Sequence, residues 1–276
     1  MRSVCEVADI RRTVGIGSDT IEDDDVSRLI QEATIAVEGY LNTAVYPKTV
    51  INSLDNHLGN GSEIIFLDKM PVLNILAVKI DGETVSPQYV KFYRGGKIVL
   101  TNSAEESSWD DDPQANVIKY TYGMVKDNED VQTVSTAAIT TPATSTSMAV
   151  SSSAEFEVND WVRIYGMDGY SEVSKVTAKD DATHATVDIY FPHENGSIVM
   201  LQEPSKRLKR FVEIITSLMM VARIVGESYT DIVGYGLEGF SIQKGEPYTQ
   251  WRETYNQLNK EKLELKKNIR PMAVVV

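Results

Sequence analysis

The chain has 276 residues, 42% hydrophobic and 24% charged, which is the composition of a globular protein of one or two domains with enough length for a real core. Cys5 is the single cysteine, so disulfides within the chain and cysteine-based zinc sites are excluded. The formal charge of −13 is uneven: from Glu203 onward there are 12 basic and 9 acidic residues, leaving 15 basic and 31 acidic on the first 202, an acidic body that repels nucleic acid on average.

No apolar run approaches the twenty or so residues of a membrane span, and the opening "MRSVCEVADIRR" lacks the apolar stretch of a secretory signal. The chain is therefore expected to be made in a cytoplasm and to have no membrane partner. The first strong pattern is "TIEDDDVSRLIQEATIAVEGYLN", where Val26, Leu29, Ile30, Ala33, Val37, Tyr40 and Leu41 recur at the spacing of one helical face. Thr20 with Asp23 three residues on reads as a capped helix start. Glu22, Asp23, Asp24 and Asp25 are adjacent, and on a helix consecutive residues fan about 100° apart, whereas a calcium loop alternates its ligands and turns on a glycine. Their expected role is to complement the positive end of the helix dipole or to form an acidic wall.

After Pro47 the period changes to two in "EIIFL", "NILAVKIDGETV", "YVKFYRGGKIVL" and "NVIKYTYG". Asn60-Gly61, Asp81-Gly82 and Gly95-Gly96 supply the positive φ angles of tight hairpins, so an antiparallel meander of four or five strands is expected. Trp109, in the acidic "EESSWDDDP", is expected to fold back on this sheet. Residues 132–202 then shift toward Thr, Ser and Ala. Ile139, Met148, Val150, Val162, Ile164, Val173, Val176, Val187 and Ile189 nevertheless alternate, which predicts a small all-β barrel or sandwich rather than a linker.

The last quarter is helical. Leu208, Phe211, Val212, Ile215, Leu218, Met219, Ala222 and Val225 make a second apolar face, with Gly226 as its expected stop. Lys206, Arg207, Lys209 and Arg210 fall in the first turn of that helix, the end at which cations are disfavoured. Such a conflict fits a solvated basic patch, or a contact with the acidic helix start at Asp23, Asp24 and Asp25 of the same or a neighbouring subunit. Further on, Tyr248, Trp251, Tyr255, Leu258, Lys262, Leu265 and Ile269 alternate three and four apart, a heptad seam that calls for a partner. Arg270-Pro271 stops the helix, and the tail Met272, Ala273, Val274, Val275 and Val276 is an apolar, β-branched run suited to strand addition. The fold class expected is thus α+β: a helical core from the N-terminal and C-terminal helices, an antiparallel meander, and an inserted β domain. In residue terms this is a core of 1–131 with 203–276 and an insertion at 132–202.

Signatures of chemistry are lacking in the sequence. "GIGSDT" has two glycines but no third and follows no strand, no Walker loop occurs, and His57, His184 and His193 have no zinc-ligand spacing. No Gly-x-Ser-x-Gly elbow is present. Neither an enzyme nor a bound cofactor is expected.

The order of elements does carry a resemblance. The acidic helix "DDDVSRLIQEATIAVEGYLN", the proline-led "DKMPVLNILAVKIDGETV", the strand "NVIKYTYG" and a long helix followed by "GLEGFSI" resemble the head–tail connector (adaptor, head-completion) proteins of tailed bacteriophages. The likeness covers roughly residues 1–130 and 203–270 and leaves the β insertion outside. It implies a structural virion protein of the neck, assembled in the host bacterial cytoplasm. It also implies a homo-oligomeric ring, typically a dodecamer, below the portal protein, which extends the channel for genomic DNA and receives a stopper or tail terminator. The seam and the tail 272–276 would then dock on the portal or the adjacent subunit. Two other classes fit the same sequence: another tail or baseplate subunit, or a carbohydrate-binding or adhesion module using Trp161, Tyr165 and Tyr170.

Overall fold

The structure is a computed structural model that describes residues 4–17, 21–52, 64–86, 89–101, 108–110, 115–141, 143–166, 170–227 and 246–269. Among the described residues the chain is mixed α and β, with four helices and three antiparallel sheets. It divides into two compact units, one built from the helices and one from the strands.

The helical unit contains α1 (Val7–Val14), α2 (Asp23–Leu41), α3 (Lys206–Glu227) and α4 (Glu246–Asn268). Gly15 closes α1 in the left-handed region at φ 77°, where its N–H bonds to Arg11 O, a conformation that glycine adopts without a Cβ penalty. On α2 the expected face is buried at Val26, Leu29, Ile30, Ala33, Val37 and Leu41. The expected cap differs: Thr20 lies outside the described residues, the helix begins at Asp23, and the Val26 N–H bonds to Glu22 O at 3.2 Å. Glu22 therefore holds the cap position, and Asp23, Asp24 and Asp25 form the first turn, where carboxylates oppose the positive end of the dipole.

α3 departs from the one-face pattern. Ile214, Met220 and Val221 are buried with Leu208, Phe211, Val212 and Leu218, while Ile215 and Met219 are half-buried and Ala222 is exposed. The reason is its central place: α1, α2 and α4 all pack on α3, so burial runs round the helix. It also passes Gly226 to end at Glu227.

In the β unit, β1 (Lys48–Asn52), β3 (Val72–Ile80), β4 (Glu83–Val85) and β7 (Asn116–Tyr122) form one sheet in the order β1-β7-β3-β4. β2 (Ile64–Phe66), β5 (Val90–Phe92) and β6 (Lys97–Leu100) form a second, in the order β2-β6-β5. The single meander is therefore two sheets. Two of the three expected turns form hairpins: Asp81 and Gly82 have φ of 47° and 82° between β3 and β4, and Gly96 has φ 83° between β5 and β6, while Asn60-Gly61 lies outside the described residues. A Cβ on Gly96 would also meet Leu67 O at 2.7 Å. The long-range pairs, β3 with β7 and β2 with β6, split the strands between sheets. One core joins them, with Ile75, Ile118 and Tyr120 from the first sheet and Ile65, Ile98 and Leu100 from the second.

Six later strands make the third sheet: β8 (Val125–Val134), β9 (Thr146–Ala149), β10 (Trp161–Tyr165), β11 (Ser171–Asp181), β12 (His184–Val187) and β13 (Ile198–Pro204), in the order β8-β13-β10-β11-β12-β9. Its first and last strands meet, through the bridge Ser135↔Val150, the Thr136 N–H to Ala149 O bond and the Ser151 N–H to Val134 O bond. The sheet closes on itself and leaves few edges. Met148, Val150, Val162, Ile164, Val176, Val187, Ile189 and Val199 fill its interior.

Trp109 is fully buried in the core of the first two sheets. It is held there by a reciprocal pair beside it, Asp110 N–H to Asn116 Oδ1 at 3.1 Å and Asn116 Nδ2 to Asp110 O at 2.8 Å. Truncating it leaves a cavity that a two-sheet core cannot collapse into. Trp109→Ala is expected to cost about 3–5 kcal/mol, read from urea denaturation at an unchanged slope.

Candidate functional site

The charged residues singled out in the sequence come together in the helical unit, in two networks. Arg11 on α1 donates from Nε and Nη2 to Asp23 Oδ1 at 3.0 and 2.5 Å, from Nη1 to Gly17 O at 2.7 Å and from Nη2 to Ile21 O at 2.5 Å. One guanidinium thus clamps the connection between α1 and α2 to the first turn of α2. Asp25 is shared: Arg28 Nη2 donates to Oδ1 at 2.9 Å and Arg223 Nη2 to Oδ2 at 3.1 Å, which ties the start of α2 to the end of α3. Asp24 between them is exposed. The acidic run is therefore in part an internal fastening, in addition to its fit to the dipole.

The second network begins at the basic start of α3. Arg210 donates from Nε and Nη2 to the two carboxylate oxygens of Glu261 on α4, both at 2.8 Å. It also pairs with Glu213 one turn along α3, and its Nη1 reaches Thr13 Oγ1 on α1 at 3.3 Å. Two carboxylates offset the unfavourable dipole position of this cation. Lys206 and Arg207 are exposed and Lys209 is half-buried. Within one chain, Arg210 thus pairs with Glu261 and Glu213, and Asp23 with Arg11.

The heptad seam of α4 faces α3. Leu258 is buried against Ile214 and Leu218, with Tyr255 and Leu265 packed beside it, and Ile269 is buried. Trp251 is half-buried, Lys262 is half-buried with its pKa lowered by burial and by Lys266, and Lys266 Nζ lies 4.6 Å from the ring centroid of Tyr40. Tyr248 lies within α4, while Met272, Val274, Val275 and Val276 and the "GLEGFSI" stretch lie outside the described residues.

In the β unit, Glu172 and His193 form a buried pair that nothing in the sequence announced. His193 Nε2 and Glu172 Oε1 are 2.7 Å apart, both side chains have no exposure, and Glu172 Oε2 accepts the Tyr190 N–H at 2.8 Å. The pair pins the connection between β12 and β13 to β11. On β11 the pair interrupts the alternation of burial, with Glu172, Val173 and Ser174 all buried in a row.

A cleft of about 340 Å³ lies among Leu73, Phe92, Arg94, Asp127, Arg163 and Gln202. Its guanidinium groups are engaged: Arg163 donates to Asp127 Oδ2 at 2.8 Å and to Ser171 Oγ at 2.9 Å, and Arg94 donates to Val125 O at 2.9 Å. Of the aromatic trio, Arg163 covers the Tyr165 ring at 4.6 Å and Tyr170 stacks on Phe191 at 5.4 Å, so two of the three rings already have partners. Trp161 alternates with the interior residues Val162 and Ile164. Among the described residues no group of three His, Cys, Asp or Glu side chains is placed to hold a metal ion, and no helix is long and apolar enough to cross a membrane.

A profile described as head completion protein matches residues 4–141, which is half of the chain. The chain belongs to the head completion protein family. Its role is structural: it is a bacteriophage virion protein of the head–tail connection. The matched span holds α1, α2, both smaller sheets and the beginning of the closed sheet. No curated protein sequence matches the chain. Among solved structures, a chain from the neck of an empty GTA particle computed with C6 symmetry aligns at 15% identity and a TM-score of 0.32, over 44% of this chain and 66% of that one. The chain therefore spans just under two thirds of that neck chain, and a likeness of this size bears on neither role nor assembly.

The Arg210–Glu261 pair is the testable joint of this site. The Arg210 hydrogen bonds hold the Glu261 carboxyl below its ordinary value of 4.5. Because the folded state takes up that proton less readily than the unfolded chain, the contribution is complete above 4.5 and is lost as pH falls below it. Glu261→Gln is expected to cost about 0.5–1 kcal/mol at neutral pH, a value limited by the exposure of the pair. Melting curves of variant and parent should converge at acid pH.

Proposed function

We propose that this head completion protein assembles with copies of itself into a ring, of twelve subunits as the connector resemblance implies, below the portal of a filled head. The ring extends the channel for genomic DNA and offers its far side to a stopper or tail terminator. The observation that carries this reading is the charge distribution: 31 acidic against 15 basic residues on the first 202. A wall of that sign repels phosphate, so DNA slides past it without being held. The role calls for no catalysis and no cofactor.

The reading treats residues 1–131 and 203–276 as the connector core and 132–202 as an insertion. Its support is the stem formed by β8 and β13, in which Lys126 faces Glu203 and Gln132 faces Met200, so the segment leaves and returns at one place. Exposed Asp24, Lys206 and Arg207 and the apolar tail 272–276 are the proposed contacts with other subunits and with the portal.

Negative-stain images of the protein, alone and with portal, should show closed rings. A variant with Glu129–Met200 replaced by an Asn-Gly turn, between the register partners Asn128 and Leu201, should form the same rings. Discrete monomers under both conditions would refute the ring, and a molten variant would refute the insertion. Deleting residues 271–276 should leave melting unchanged and abolish attachment to DNA-filled heads; normal attachment would remove the tail from the interface.

A further inference from the structure

Two outward faces of the helical unit differ in sign and share a design. On α2 the exposed Ile35, at 68% of its full accessibility, lies opposite the buried stripe of Val26, Ala33 and Val37. Glu32 precedes it by three residues and Glu38 follows it by three, positions that lie beside it on the same helical surface. Leu263 on α4, at 56%, lies away from the seam residues Leu258 and Ile269. Exposed Lys260 precedes it by three and exposed Lys267 follows it by four, while Lys266, at three, lies over the Tyr40 ring of its own chain. An exposed aliphatic side chain flanked by carboxylates thus has its counterpart in one flanked by ammonium groups. α2 and α4 each pack on α3, so both faces belong to one helical unit.

We infer that the Ile35 face of α2 docks on the Leu263 face of α4 of a second copy of this chain, head to tail. The charges decide the partner. An α2 face against another α2 face would set Glu32 and Glu38 against like charges, and the α4 faces would repel in the same way, so a two-fold contact is disfavoured and the crossed contact is favoured. A contact between two different surfaces repeats around a ring, or along a filament when the rotation does not close. The two aliphatic side chains then supply a desolvated centre and the charges a polar rim. This inference rests on the ring reading above and names the surfaces that would build it.

Two variants test it. Gln31→Lys with Glu32→Lys turns the α2 face basic, and Lys260→Glu with Lys267→Glu turns the α4 face acidic; all four positions are exposed, and melting curves verify folding. Each variant alone should lose self-association, with the apparent dissociation constant from sedimentation velocity rising about tenfold or more. Mixed one to one, the two variants present opposite charges at every contact and should recover assemblies of the parent size. Parent-like assembly by either folded variant alone would overturn the inference while leaving the ring intact, and a parent that remains monomeric on and off the portal overturns both. A covalent check uses Ile35→Cys with Leu263→Cys in one chain. Cys5 is buried, with its thiol pushed up to about 12, so it stays out of the reaction. Mild oxidation should give a ladder of linked chains, whereas a linked dimer from Ile35→Cys alone would show a two-fold contact and overturn the proposal.

Discussion

The constraint on which the structure depends is that its helical unit is discontinuous in sequence. α1 and α2 come before the strands, α3 and α4 after them, and α3 packs on α1 and α2 as well as on α4. The chain that leaves at residue 41 must therefore return at residue 206 to the same place. Each unit meets this demand on its own terms. In the helical unit the ring of Tyr40, at the end of α2, lies 6.1 Å from that of Phe211 in the first turns of α3. In the β unit, Tyr46 and Leu201, Gln202 and Glu203 line one small pocket, so the first and last residues of the strands are neighbours. β8 and β13 pair along their length, so the third sheet also begins and ends at one place.

Electrostatics fastens the helices at their ends while apolar burial does the work along their length. Arg11 holds the first turn of α2, Arg223 reaches the same turn from α3, and Arg210 joins α3 to α4. Arginine suits these posts because its fork reaches two or three acceptors at once, as at Glu261 and at Asp23 with Gly17 and Ile21. The four adjacent acids at the start of α2 thus divide their labour. Glu22 opens the helix with its carbonyl, Asp23 and Asp25 are held by arginines, and Asp24 is exposed.

Periodicity made the α2 face and the closed-sheet interior readable, because both elements have one wet side and one dry side. α3 was misread for the converse reason: a central helix surrounded by α1, α2 and α4 has no single dry side, and Ile214, Met220 and Val221 fall outside any one stripe. Turn chemistry located the hairpins at Asp81-Gly82 and Gly95-Gly96 but not the partition into two sheets. That partition follows from pairings such as Ile64 with Val99 and Ile80 with Asn116, which leave no local mark. The α4 seam was visible as a seam, yet spacing alone does not distinguish α3 of the same chain from a helix of another. Glu172 and His193 were hidden because a buried hydrogen-bonded pair needs one residue from each of two distant segments, and neither is conspicuous alone.

Local charge is what would let a chain this acidic associate with itself through the proposed contact. A net charge of −13 opposes self-association at long range, and with the Debye length near 8 Å in physiological salt that opposition fades within a few side chains of contact. What remains is local sign, and the basic residues are concentrated where they count: 12 of the 27 lie beyond Glu203, in and around α3 and α4. In the proposed contact the acidic α2 and the lysine-rich α4 attract at short range while the rest of the body repels. Single exposed ion pairs contribute little, about 0–1 kcal/mol each. A weak contact of that kind suits a closed assembly, since the final contact of a ring forms between subunits already held together and benefits from their high effective concentration. Weak contacts of the proposed kind would also dissociate readily when misplaced, which favours closed assemblies over trapped fragments.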